Sequence, residues 1–197
     1  MISEEEIRAV LEKELSAFRL GHILGVVGEA EKFAGIHGVD IRKARMAALL
    51  HDVTKELSVE EQLQILEECG ILVEKGMLDC PQILHAVSGS AKAVRDFGAP
   101  EDIASAIRWH ATGKAGMTKL DMVIYLADLT EPTRRFAHDA DTERLRALAY
   151  TSLEAASAYE AYLTIEREGK KGRVIWHDTL DTYKTYLPYL EKSEERK

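Results

Sequence analysis

The chain has 197 residues, 46% hydrophobic and 30% charged, with four prolines, a composition that fits one globular domain over 1–197 with its core across about 15–185. Its formal net charge of −8 argues against a nucleic-acid polymer as partner and against docking on an anionic membrane. No apolar run reaches the roughly eighteen residues that span a bilayer. The first residues, Met-Ile-Ser-Glu-Glu-Glu, are acidic rather than basic-then-apolar, and Cys69 and Cys80 match no zinc spacing, so a cytoplasmic protein is expected.

Ser3-x-x-Glu6 is a capping box for a first helix, with Ile7, Val10, Leu11, Leu15 and Phe18 at helical spacing. A second helix carries Ile23, Val26, Val27, Ala30, Phe33 and Ala34 and ends near Gly38. Ile41 to Leu50 predicts a third, apolar enough to be central. Ser58-x-x-Glu61 opens a fourth that closes at Gly70. Residues 71–81 read as a loop or short helical turn. Ile83 to Phe97 follows as a helix, then one from Pro100 through Trp109. Thr118-x-x-Asp121 starts the helix of Met122 to Asp128, which Pro132 stops. One long helix is expected over Asp141 to Glu168, then the basic loop Gly169-Lys170-Lys171-Gly172-Arg173 and a last helix from His177 or Asp178. The expected fold class is all-α, a helical bundle with a metal site in its core.

His51-Asp52 ends the apolar run Met46 to Leu50, and Lys55 follows three residues later. An imidazole beside a carboxylate at the edge of a buried run is costly unless a cation compensates it, and neutral His nitrogen and ionised Asp oxygen both ligate divalent metals. A capping Asp with a half-buried His would explain the pair alone; His22, His85, His110 and Asp128 shift the balance toward metal. Asp128 interrupts Val123-Ile124-Tyr125-Leu126-Ala127 and needs a cation or several donors, with an ion pair to Arg134 or Arg19 as the plain alternative. His37, His138 and His177 carry no supporting pattern.

The order Arg19-x-x-His22, His51-Asp52, His85, His110, Asp128 resembles the HD-domain metal-dependent phosphohydrolases. The segments Ala47 to Glu56, His85-Ala86-Val87-Ser88-Gly89, His110-Ala111-Thr112-Gly113 and Tyr125 to Arg134 resemble the bacterial YqeK family, over roughly residues 15–185. Ala111, Thr130 and the run Phe136-Ala137-His138-Asp139 depart from its pattern, but none of them removes a ligand-type residue. The resemblance implies a symmetrical diadenosine tetraphosphate (Ap4A) hydrolase releasing two ADP. It also implies iron as the metal, held by His22, His51, Asp52 and Asp128, with manganese, cobalt, nickel or zinc as substitutes. His85 and His110 would face the same cavity, binding either a second iron with Asp52 shared or phosphate directly. His51, Asp52 and Lys55 are the expected catalytic group.

Phosphoanhydride hydrolysis needs an activated water and neutralised phosphoryl charge, both of which such a metal supplies. Lys55, on a continuing helix, would lie on the face of Asp52 and bind phosphate; a solvated lysine pairing with Glu56 or Glu60 is the alternative. Arg19, Arg134, Thr112, Gly113, Lys171 and Arg173 complete the expected substrate contacts, Arg134 against the plain reading of a pair with Glu131. The expected partner is a dinucleoside polyphosphate, with ADP as product and a homodimer as the expected assembly. Rival readings are an HD phosphohydrolase of another nucleotide (mono- or triphosphate), a non-catalytic nucleotide sensor, and a helical interaction module.

Overall fold

The computed structural model describes residues 2–134 and 138–195, and within them the chain is helical. In order the helices are α1 (Glu4–Glu14), α2 (Ala17–His37), α3 (Ile41–Leu50), α4 (Val59–Glu68), α5 (Pro81–Phe97), α6 (Glu101–Trp109), α7 (Lys119–Thr130), α8 (Ala140–Ala149), α9 (Leu153–Lys170) and α10 (His177–Glu194). One 3-10 turn, Met77–Asp79, lies in the loop before α5. Among the described residues there is no strand, and no helix is long and apolar enough to cross a membrane.

The capping signals act as the sequence suggests. Ser3, Ser58 and Thr118 each accept from a backbone N–H three residues on, while Glu6, Glu61 and Asp121 reach back to the cap N–H. Two expectations are corrected. Phe18 does not belong to the first helix: Leu15 is extended, Ser16 caps a new helix, and the Phe18 side chain stands in solvent. The long helix over 141–168 is two helices. Thr151 and Ser152 both donate to the Leu148 carbonyl, and Ser152 turns extended and caps α9 through the Ala155 N–H.

α7 is the axis of the bundle, packed by α2, α3, α6, α8 and α9. Leu120 through Ala127 are all buried, so this helix shows no exposed face over that stretch. α3 joins it through Ala44, Ala47 and Ala48, small side chains that admit α2 closely, and through Leu49 and Leu50. A smaller apolar cluster under α4 and α5 is built on Leu66, Leu84, Ile83 and Trp176. α9 and α10 pair along their length and close the side next to α7.

Candidate metal centre and cleft

His51 and His110 occupy equivalent places, each the C-cap residue of its helix, α3 and α6. Each donates its Nδ1–H to the carbonyl three residues back, Ala48 and Ile107 respectively, at 2.7 Å. That contact fixes the tautomer and leaves the lone pair of each ring on Nε2, facing the cluster. His22, on the second turn of α2, donates Nδ1–H to Glu131 Oε1 at 2.9 Å. Its Nε2 stands 3.0 Å from Asp128 Oδ1 and 3.7 Å from Asp52 Oδ2. His51 Nε2 lies 3.6 Å from Asp52 Oδ2 and 3.7 Å from Asp128 Oδ1. His85 Nε2 is 3.3 Å from Asp52 Oδ1 and 3.0 Å from His110 Nε2.

The structure thus brings His22, His51, Asp52, His85, His110 and Asp128 into one cluster. His22, His51 and Asp128 offer ligand atoms within 4.8 Å of one another, as do His51, Asp52 and His110. Buried Nε2 atoms of His22 and His51 have no hydrogen-bond partner, an arrangement that costs free energy unless a cation takes the lone pair. Mixed imidazole and carboxylate donors suit a transition metal better than magnesium or calcium, so these residues fit one.

Electrostatics agree with a cation-seeking centre. Although burial opposes it, charge and hydrogen bonds from His51, His110 and His85 hold Asp52 well below the usual carboxylate range. Asp128 is likewise held low against burial, by Arg134, His22 and His51. Burial disfavours a charged His22, but hydrogen bonds to Asp128 and Glu131 outweigh it and raise that imidazole to about 9, so a metal ion at its Nε2 displaces a proton. Burial, reinforced by Lys55 and His110, pushes His85 down to about 4. Each carboxylate is also backed by an arginine: Arg19 Nη1 donates to Asp52 Oδ2 at 2.5 Å, and Arg134 Nη2 to Asp128 Oδ1.

Lys55 reaches the cluster by a route other than a continuing helix. α3 stops at Leu50, and residues 51–57 form successive i→i−3 turns, with Lys55 N bonded to Asp52 O at 3.0 Å. At that pitch i and i+3 eclipse, which stacks Lys55 over Asp52. Its Nζ lies 3.1 and 3.2 Å from the two ring nitrogens of His85, and burial lowers the ammonium pKa. Thr54 Oγ1 donates to the His85 carbonyl at 2.9 Å and contacts Ser88 Oγ at 2.8 Å, tying these turns to α5. Gly89 of α5 faces the same turns: a Cβ there would meet His51 O and Thr54 Oγ1 at 3.4 Å, ordinary contact distance.

A cleft of about 220 Å³ opens beside the cluster, lined by Lys55, His85, His110, Thr112, Asp128 and Arg134 together with residues of α9 and Trp176. The remaining expected contacts sit elsewhere. Gly113, at φ +65°, packs where any side chain would collide with Thr182. Lys171 and Arg173 do not line the cleft themselves, but both pair with Glu168, which does, at 2.8 and 3.2 Å. Arg19 contacts Asp52 without lining the cleft. Part of the segment after Pro132, residues 135–137, lies outside the described residues.

Two residues escaped the sequence reading. Glu131, almost fully buried, orients His22, and Gly25 on α2 leaves the space its carboxylate fills, since a methyl there would strike Oε2. Glu131 also accepts from Thr133 N at 2.7 Å and Thr133 Oγ1 at 2.8 Å, so it does not pair with Arg134 through its side chain. A carboxylate in front of Pro132 was a visible signal; its partner 109 residues away was not.

Comparison with known proteins matches the HD domain family over residues 19–133. The chain belongs to that family, in its YqeK branch. It is 35% identical to the symmetrical bis(5'-nucleosyl)-tetraphosphatase of Bacillus subtilis, over 92% of this chain and 96% of that one. It is 32% identical to the same-named protein of Halalkalibacterium halodurans, over 90% and 94% of the two chains. In structure it is similar to a predicted HD superfamily hydrolase involved in NAD metabolism from Clostridium acetobutylicum. That match has a TM-score of 0.90 and 32% identity, and covers 96% of this chain and 99% of the other. HD-domain proteins of this kind are metal-dependent hydrolases.

Proposed function

We propose that the chain divides diadenosine tetraphosphate at its centre and releases two ADP. The observation that carries this reading is the pair of unpartnered Nε2 atoms of His22 and His51, facing the carboxylates of Asp52 and Asp128 beside a cleft. The relatives named as symmetrical tetraphosphatases support the substrate class. His22, His51, Asp52 and Asp128 would hold iron, which would supply an activated water and a Lewis acid for the phosphoryl oxygens. Manganese, cobalt, nickel or zinc offers the same chemistry. His85 and His110 either hold a second ion with Asp52 shared or meet phosphate.

The chain's own groups do the rest. Lys55 and Arg134 lie against the acidic pair and line the cleft, where their charge neutralises oxygens on the bridging phosphates. Arg19, Thr112 and Gly113 belong to the same reading, Thr112 by its hydroxyl in the cleft; Lys171 and Arg173 would meet the substrate only beyond the cleft rim. Water adds to a β-phosphorus, the central P–O bond breaks, and ADP leaves carrying the bond electrons. ADP is a good leaving group, so positioning and charge outweigh acid catalysis. A homodimer and a cytoplasmic location complete the reading, tested by light scattering and fractionation.

The deciding experiment is purification without oxygen, elemental analysis, and an Ap4A assay scored by product. Iron in the protein and two ADP per Ap4A are expected. AMP with ATP, or no consumption of Ap4A, would reject the reading.

A further inference from the structure

The part of the cleft lining that α9 contributes contains a charged group that the proposed chemistry leaves unused. Glu160 of α9 is buried to 2% exposure, yet it lines the cleft with Thr164 and Arg167, one and two turns further along the same face. Glu160 Oε1 accepts from Thr164 Oγ1 at 2.8 Å and from Arg167 Nη2 at 3.2 Å, and Arg167 Nη2 also donates to Thr164 Oγ1 at 2.8 Å. Only Nη2 is engaged: among the described residues, Nε and Nη1 of Arg167 donate to nothing.

A buried carboxylate beside an apolar axis helix is an expensive way to hold a surface arginine. It makes sense if the arginine must be held in one orientation. A guanidinium anchored through Nη2 keeps its positive charge and its Nε–H and Nη1–H donors for an anion. The cleft already has Arg134 beside Asp128, so Arg167 adds a second guanidinium, from α9. Lys171 and Arg173, in contrast, do not line the cleft and are committed to Glu168 at its edge.

We infer that Arg167, positioned by Glu160 and Thr164, grips a phosphate of the substrate away from the bond that breaks, and so selects for a polyphosphate bridge over a short phosphate. The substrate class rests on the function proposed above, while Arg167's grip can be tested without turnover.

The test is calorimetric affinity of manganese-loaded protein for the Ap4A analogue with a methylene between its central phosphates, alongside AMP. Arg167→Ala should weaken the analogue roughly 10–100-fold, the effect of losing one charge-assisted contact, and change AMP less than threefold. Glu160→Gln, which keeps volume and hydrogen-bonding capacity, should weaken the analogue several-fold while leaving the protein folded. Arg167→Lys should recover part of the loss, since the charge returns without the anchored guanidinium. Unchanged analogue affinity in Arg167→Ala, or an equal loss for AMP, overturns the inference. Lack of Ap4A cleavage by the wild-type protein would reject the proposed function instead, leaving the affinity ratio to decide Arg167.

Discussion

Glu131 Oε1 holds His22 Nδ1 at 2.9 Å across the gap between α7 and α2, so the ring presents Nε2 to Asp128. A carboxylate behind a ligand imidazole fixes its tautomer and raises its basicity, and losing such a partner typically lowers metal affinity roughly 10–100-fold. Gly25→Ala tests this without touching either residue. A methyl at that point displaces the Glu131 carboxylate, so metal affinity should fall within that range in chelator-competition titrations. Gly→Ala in a helix interior adds about 0.5–1 kcal/mol of intrinsic stability, so the variant should remain folded. Undiminished metal binding would show that Glu131 does not support His22.

His51→Ala and Asp52→Ala should each abolish Ap4A turnover while the helical circular-dichroism signal survives. His51 closes α3 after its last helical residue, and Asp52 begins the turns beyond it, so neither sits inside a helix. Full activity in both variants would refute their assignment to the centre.

Metal removal should destabilise the protein measurably. A ligand present at a hundred times its Kd adds about 2.7 kcal/mol to folding. For a chain of this size each kcal/mol moves Tm by roughly 2–4 °C. Chelation is therefore expected to lower Tm by about 5–10 °C, with recovery on adding iron or manganese. Identical melting with and without chelator would argue against a bound ion.

Glu160 sets a pH dependence of its own. Burial raises its pKa above the ordinary 4.5, against the opposing pull of Arg167, Thr164 and Arg134. A carboxyl whose folded pKa is raised contributes stability that is fully present below the unfolded pKa and lost as pH rises through the folded one. Glu160→Gln removes that loss. Its Tm should match the wild type near pH 4.5 and exceed it increasingly toward neutral pH, measured by thermal denaturation across that range. A Tm below the wild type at pH 7 would mean the ion pair with Arg167 outweighs the cost of burying the charge.

Much of the fold was legible because local chemistry decides it. Ser3, Ser58 and Thr118 announce helix starts through their own side chains, and the apolar run Met46 to Leu50 is buried throughout. The break at 150–152 was not legible, since no glycine or proline marks it and Ser152 reads equally well inside a helix or as a cap. The site residues were visible as an ordered set of ligand types, but their supporting partners depend on tertiary distance. Gly25 and Glu131 are ordinary in sequence and meet only because α2 crosses α7. Arg167 was hidden by the more conspicuous basic loop that follows it.

His51 and His110 each terminate a helix and lean on the carbonyl three residues behind. The centre is thereby indexed to the lengths of α3 and α6, as a ruler is to its end stop. Inserting one residue into either would swing the imidazole by about 100° around the axis, pointing its lone pair into packed side chains. Length variation in descendants of this chain should accumulate in segments such as 71–76, before the 3-10 turn, and spare these two short rods.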